Sequence, residues 1–266
     1  MHKYRKASVA GMFYPDNCSE LKHYISHFDK ATPTFTQDLF PRALIVPHAG
    51  YIYSGYTANL AYAYTASRRC DIERVVVIGP SHRVYIAGAS IAFFDAYHTP
   101  CGDITIDLSY AHALQKKFAF LDFHPNAHEE HSTEVQMPFI HHYFKKANVV
   151  EIVYGDITYG ELSSLINEVL KDDKTLIVIS TDLSHFHTEE EANRRDTFCI
   201  NAINTLDLHA LENCEACGKL GVKALVHSAR LHAFKPYFLD YRTSYARSGD
   251  ASRVVGYTSF VLGCAT

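Results

Sequence analysis

Short, uninterrupted apolar runs separated by stretches of helical periodicity restrict the fold of this chain more than any other feature. Residues 43–46, 75–78, 149–154 and 176–179 are rich in Val and Ile and too short for ordinary helices. Strands buried on both faces read this way, whereas strands with one face in water alternate polar and apolar residues. Helical patterns lie around them at residues 57–66, 133–144, 161–170, 189–206 and 222–233. Another runs through Leu114 and Phe118 behind a candidate N-cap at Asp107. This order predicts an α/β fold with a mainly parallel central sheet flanked by helices. Runs at 89–93, 237–241 and 254–262 add strands, and Pro100 with Gly102 marks a hairpin. Pro138 predicts a kink or a late start in the 133–144 helix. Nothing in the sequence reads as a repeat or a linker, so residues 1–266 are expected to form a single domain.

Three of the buried-type strands run into histidine. Residues 43–46 lead to Pro47-His48-Ala49-Gly50-Tyr51, residues 75–78 to Gly79-Pro80-Ser81-His82, and residues 176–179 to Ser180-Thr181-Asp182-Leu183-Ser184-His185. Ligands of open α/β sheets bind beyond the carboxyl ends of the strands, where the following loops converge. Neutral imidazole is the commonest ligand for zinc, copper and iron, and it also moves protons near pH 7. Any one such histidine reads equally well as an ordinary loop residue. Three at equivalent topological positions point to a metal centre. Gly155-Asp156 follows the fourth strand to the same rim.

Several function classes are disfavoured. A net charge of −4 and no run of Lys or Arg give no electrostatic reason to expect nucleic acid. No apolar stretch reaches the roughly 18–20 residues of a membrane span, and no signal core follows the basic start, so a cytoplasmic protein is expected. Seven scattered cysteines do not read as a disulfide framework. Cys214-Glu215-Ala216-Cys217 has no second C-x-x-C to complete a zinc ribbon and sits in a loop-like segment, where either thiol could join the histidine site. His128-Glu129-Glu130-His131 places its histidines at i and i+3, not the i and i+4 of a zinc protease helix. Glu130, His131 and Glu134 are expected to enter the rim as supporting acids or substrate contacts, against the plainer reading of a solvated helix start. The sequence has no G-x-S-x-G elbow, Walker A loop or G-x-G-x-x-G turn.

Taken together, these segments resemble the Memo family, whose bacterial and archaeal branch is called AmmeMemoRadiSam system protein B. The resemblance rests on Ala10-Gly11-Met12-Phe13-Tyr14-Pro15, the segments around His48 and His82, Glu130-His131-Ser132 with Glu134, Ser180 to His185, and Cys217-Gly218-Lys219. They occur in the family's order over nearly the whole chain. The family's fold is similar to that of class III extradiol dioxygenases, non-haem iron enzymes. The resemblance implies a metal held by His48, His82 and Cys217, with Asp182 and His185 beside it as the catalytic pair. Cysteine then stands where the dioxygenases place a carboxylate, which favours softer metals and argues against catechol cleavage. The family name further implies association with a radical-SAM enzyme and a second small domain. Animal members are described as binding phosphopeptides.

Three readings of function follow. The first is an oxidoreductase using Fe(II) or Cu, in which His185, oriented by Asp182, moves a proton while Tyr51, Tyr53, Glu130 and His131 meet an unknown small-molecule substrate. The second is a non-catalytic module that binds a peptide or protein in the same cleft. The third is a zinc-dependent hydrolase, because three ligands and an open position also suit a zinc ion that activates water.

Overall fold

The protein is described here from a computed structural model, which covers residues 4–265. Twelve strands are present among these residues: β1 (Tyr4–Arg5), β2 (Leu39–Val46), β3 (Arg74–Pro80), β4 (Ala89–Ile91), β5 (Ala96–Thr99), β6 (Gly102–Thr105), β7 (Leu121–Asp122), β8 (Asn148–Tyr154), β9 (Thr175–Ser180), β10 (His185–His187), β11 (Lys235–Thr243) and β12 (Val254–Ala265). The helices are α1 (Cys18–Lys30), α2 (Tyr56–Ala66), α3 (Leu108–Lys117), α4 (His131–Glu134), α5 (Met137–Tyr143), α6 (Tyr159–Val169), α7 (Glu189–Asn204), α8 (Lys219–Leu231) and α9 (Tyr245–Ser248).

A large sheet runs in the order β10-β12-β2-β9-β3-β8-β4-β7, with β11 also paired to β12. Its centre, β2-β9-β3-β8, is parallel throughout. The flanks are not: β12 runs antiparallel to β2 and β11, and β4 antiparallel to β8. The sheet is therefore mixed: its long parallel part lies in the strands that carry the continuous apolar runs, and the short edge pair β4–β7 is parallel as well. The reason is connectivity. Parallel neighbours need a long crossover, whereas β11 and β12 are joined by a short segment that permits only an antiparallel return. A separate small sheet, β1-β5-β6, contains the expected hairpin at Pro100 and Gly102.

The central strands bury both faces. In β2, Ala43 and Ile45 join the core on one face, which also holds residues of α6, α7 and α8. Leu44 and Val46 join the other core with residues of α1, α2 and α5. The same alternation divides Val76 and Ile78 from Val75 and Val77 in β3. Period-2 geometry thus places an unbroken apolar run into two cores at once.

The helix starts follow local chemistry. Asp107 caps α3 by accepting from the Tyr110 amide. Thr158 and Glu161 form a reciprocal capping box at α6. The 133–144 pattern resolves into α4 and α5, and Pro138 falls in the first turn of α5, where its missing N–H costs nothing. Helix α1 and the short strands β1, β7 and β10 were not foreseen from the sequence.

One cysteine expectation is corrected. Cys18 and Cys101 are disulfide-bonded, with their Cα atoms 4.6 Å apart across 83 residues of sequence. The start of α1 meets the β5–β6 turn, a proximity that no local spacing reveals. The remaining five cysteines are free. Among the described residues no helix is long and apolar enough to cross a membrane.

Candidate metal centre

The parallel register brings the strand ends level. Val46 pairs with Ser180, and Ile78 pairs with Ile179. The loops that leave β2, β3 and β9 therefore open at one edge, and His48, His82 and Asp182 follow directly. Helix α4 approaches the same edge, because the Ser132 hydroxyl donates to the Pro80 carbonyl at 2.8 Å and the Ser180 hydroxyl donates to the Ser132 carbonyl at 2.5 Å.

Three imidazoles converge there. One ring nitrogen from each of His48, His82 and His131 lies within 4.8 Å of the other two. Their ring centroids form a nearly equilateral triangle, 5.2 Å for His48–His82, 5.3 Å for His48–His131 and 4.7 Å for His82–His131. His48 is buried, His131 is half-buried and His82 is open to solvent, so the cluster has a closed floor and an accessible side.

The hydrogen bonds behind the rings fix which nitrogen each presents. Glu130 Oε1 lies 3.1 Å from His82 Nδ1 and 2.8 Å from His131 Nδ1. A carboxylate only accepts, so both Nδ1 atoms carry protons and both Nε2 atoms are left free. Glu130 also accepts from the backbone amides of His82 at 2.7 Å and Ser132 at 3.1 Å. Burial alone would raise this carboxyl, but these bonds, led by those from His131 and His82, hold it well below the usual range.

His48 is fixed by a neutral network. Its Nδ1 lies 2.9 Å from Ser180 Oγ. The single Ser180 hydroxyl proton is already directed at the Ser132 carbonyl, so His48 Nδ1 must be the donor. The other Ser180 lone pair accepts from the Gln136 amide at 2.9 Å. That amide cannot be reversed, because its nitrogen also donates to the Pro47 carbonyl and its oxygen accepts from the Tyr62 hydroxyl. Burial, assisted by His82 and His131 and opposed by Asp182, lowers the His48 imidazole to about 4. It is neutral at ordinary pH, with Nε2 unprotonated.

Cys217 stands against that nitrogen, its Sγ 3.3 Å from His48 Nε2. It sits just ahead of α8, where the Gly218 amide donates to Thr181 Oγ1 at 2.9 Å. A Cβ at position 218 would come within 2.7 Å of the Ser180 carbonyl, so only glycine lets this turn approach β9 so closely. Burial, reinforced by the Asp182 carboxylate, pushes the Cys217 thiol up to about 12.

The donor set fits a metal ion. Ligands at about 2.0 Å (imidazole) and 2.3 Å (thiolate) in a tetrahedral arrangement stand roughly 3.5 Å apart, close to the His48–Cys217 spacing. The three imidazoles already hold the required tautomer, each anchored through Nδ1 in the manner usual for metal-ligating histidines.

Other sequence expectations need correction. Asp182 does not orient His185. Its carboxylate accepts from the His48 backbone amide at 2.8 Å and approaches His48 Nε2 at 3.9 Å. Among the described residues no hydrogen bond or ion pair joins it to the His185 ring. The turn after β9 directs Asp182 back toward β2, and His185 starts β10, opposite Val255. Its ring packs against Phe186, a residue held at φ +64°. Tyr51 turns away from any substrate: it is buried, its hydroxyl donates to the Val135 carbonyl at 3.0 Å, and its ring stacks on Phe139. Glu130 lies behind two histidines and is buried, so it offers no substrate contact. Glu134 is directed away from the rim, toward the N-terminal segment. Tyr53 remains exposed. His131, expected to meet substrate, is the third imidazole of the cluster. Its position at the start of α4, after an irregular loop, gave no strand-end signal. Asp156 approaches Tyr85 and not the histidines.

An α/β sheet that presents three pre-oriented imidazoles and a thiol at the ends of parallel strands defines a candidate metal-binding protein. The sequence model of the Memo family, described as Memo-like protein, matches residues 5–261, and the chain belongs to that family. Among similar proteins, a MEMO1 family protein of Aquifex aeolicus is 34% identical, with 97% of this chain and 98% of that protein covered. One from Thermoplasma acidophilum is also 34% identical, covering 97% of this chain and 98% of the relative. The crystal structure of an uncharacterized protein, JW3007, from Escherichia coli K12 aligns with a TM-score of 0.51 at 13% identity. That alignment covers 82% of this chain and 99% of the other, and it speaks to the fold alone.

Proposed function

We propose that this Memo-family protein is a metal-dependent oxidoreductase whose mononuclear iron or copper ion is held by His48, His82 and His131, with Cys217 as an additional ligand. The observation that carries this reading is the fixed set of tautomers: all three Nδ1 atoms are engaged as donors, leaving three Nε2 lone pairs at one sheet edge. Bound iron or copper would supply one-electron chemistry that no side chain provides. The chain's own contribution is orientation and proton handling. Glu130 and Ser180 hold the imidazoles, Asp182 holds the His48 backbone, and the exposed side at His82 admits substrate. His185, half-buried at the start of β10, is the group we assign to proton transfer.

A three-histidine set with its Nε2 atoms presented also supports the zinc-hydrolase reading, since zinc in that environment activates water. The test is metal analysis of protein purified without oxygen, comparing wild type, a His48→Ala/His82→Ala double variant and His131→Ala. Iron or copper near one per chain, lost in both variants, agrees with the proposal. Zinc lost in the same pattern moves hydrolysis ahead. No metal after reconstitution overturns both and leaves a binding module, for which His185→Ala would leave partner affinity intact.

A further inference from the structure

A second cavity, remote in sequence from the strand-end loops, carries its own chemistry. It lies between α1, α5 and the β5–β6 turn, with a volume of about 270 Å³. Leu21 and Ile25 of α1, Pro138 of α5 and Cys101 give it an apolar floor. Lys22, His141, His142 and Lys145 complete its wall. Four basic groups are thus gathered around one hollow in a chain whose net charge is −4.

The acids that face this cluster are already engaged. Asp103, on the β6 side, is paired with His98 at 2.6 Å. Asp29, at the end of α1, accepts from Asn59 at 3.0 Å and from the Tyr143 hydroxyl at 2.5 Å. Glu20, at the start of α1, is tied to Asn17 at 3.0 Å. Neither Lys22 nor Lys145 has an ion pair among the described residues. Burial holds both histidines below the ordinary imidazole value; at His141 the two lysines add to it against Asp103, and at His142 Asp29 opposes it while Lys145, His141 and Lys22 add to it. Like charges in this arrangement repel, and an anion placed among them would relieve the repulsion.

We propose that this cavity binds a small amphipathic anion, a carboxylate or phosphate monoester with a tail of a few carbons. The tail lies on Leu21, Ile25 and Pro138, and the head is met by Lys22, Lys145 and the two imidazoles. Lysine suits this role as a mobile point charge that accepts either oxyanion. The volume is below the roughly 300–1,000 Å³ of drug-sized sites, which restricts the ligand to a short chain.

The test is calorimetric titration of the full-length protein with butanoate, hexanoate, octanoate and hexyl phosphate. Hexan-1-ol and hexylamine serve as neutral and cationic controls of the same length. Affinity is expected to rise about fourfold per added methylene until the cavity is full and then to level off. Hexanol should bind at least tenfold more weakly than hexanoate, and hexylamine not at all. Hexanoate against hexyl phosphate decides which head group is preferred. Binding should tighten as pH falls from 8 to 6, because the anion draws protons onto His141 and His142. Lys145→Gln, an exposed substitution that leaves the fold unchanged, should weaken hexanoate at least tenfold. Ile25→Phe, which fills the floor, should abolish binding with circular dichroism preserved. Equal binding of hexanol and hexanoate, no dependence on chain length, or indifference to Lys145→Gln would each overturn the proposal.

Discussion

At the scale of single residues, the candidate site depends on atoms that never face a substrate. Glu130 is the clearest case, because one buried carboxylate oxygen sets the proton position on two imidazoles. Glu130→Gln keeps the shape but replaces one acceptor oxygen with a donor NH2. With the NH2 at the Oε1 position both histidines meet a donor at Nδ1 and are driven to the other tautomer, with a proton on Nε2; with the NH2 at the Oε2 position it faces the His82 backbone N–H instead. Loss of such a supporting partner typically costs 10–100-fold in metal affinity. We expect Glu130→Gln to weaken metal binding by about that factor, read by competition against a chelator of known affinity. Ser180→Ala should act in the same direction through His48, whose Nδ1–H would lose its acceptor. Unchanged affinity in both variants would mean that tautomer control plays no part.

At the scale of elements, α4 is the hub, and it is fastened on two sides. Thr133 donates to Glu151 at 2.5 Å, and Glu151 meets the buried His128, whose other nitrogen meets Ser90. On the other side Glu134 accepts from the amides of Ser8 and Val9, from the Tyr14 hydroxyl and from the Arg5 guanidinium at 2.5 Å. Both members of the Arg5–Glu134 pair are buried, so removing one leaves an uncompensated charge, which costs about 3–5 kcal/mol. Glu134→Gln should lower unfolding stability by roughly that amount in urea titrations near pH 7. The pH sign follows from the carboxyl, which Arg5 and the Ser8 and Val9 bonds depress despite burial. Its contribution is fully present above the unfolded carboxyl value of about 4.3 and is lost as pH falls from there through the depressed folded value. The wild type should therefore lose stability on acidification through that window, and Glu134→Gln should lose less. Parallel slopes for the two proteins would exclude this assignment. The elements legible in sequence were those whose periodicity is long and whose caps are local, such as α3, α6 and α7. Helix α4 is four residues long and takes its position from partners far away in the chain, so no window of sequence contains the signal that places His131.

At the scale of the whole molecule, the strand-end rule found His48 and His82 because a parallel sheet makes topology predictive: successive strands must end at the same edge. Its third histidine, His185, does not join the cluster, and neither the place of Asp182 nor the disulfide was legible, because these depend on how separate segments meet in space. The Cys18–Cys101 bond links the start of α1 to the β5–β6 turn, and α1 in turn packs its Leu21, Ile25 and Phe28 into the same core as Tyr51 and Phe139. The bond therefore closes a loop spanning the first two of the site's histidine loops and most of the residues that form one core. A bridge over a loop of this length restricts the unfolded chain, and removing one typically costs about 2–4 kcal/mol. A Cys18→Ser/Cys101→Ser variant should be less stable than the oxidised wild type by that margin and indifferent to dithiothreitol. The wild type should fall to the variant's level on reduction. Alkylation of the unfolded, unreduced wild type should label the five free cysteines and spare two. Seven labelled cysteines in protein quenched directly from cells would show that the bond is open there, as a reducing compartment favours. In that case α1 would be held by its apolar face and by the Asp29–Asn59 and Asp29–Tyr143 bonds to α2 and α5.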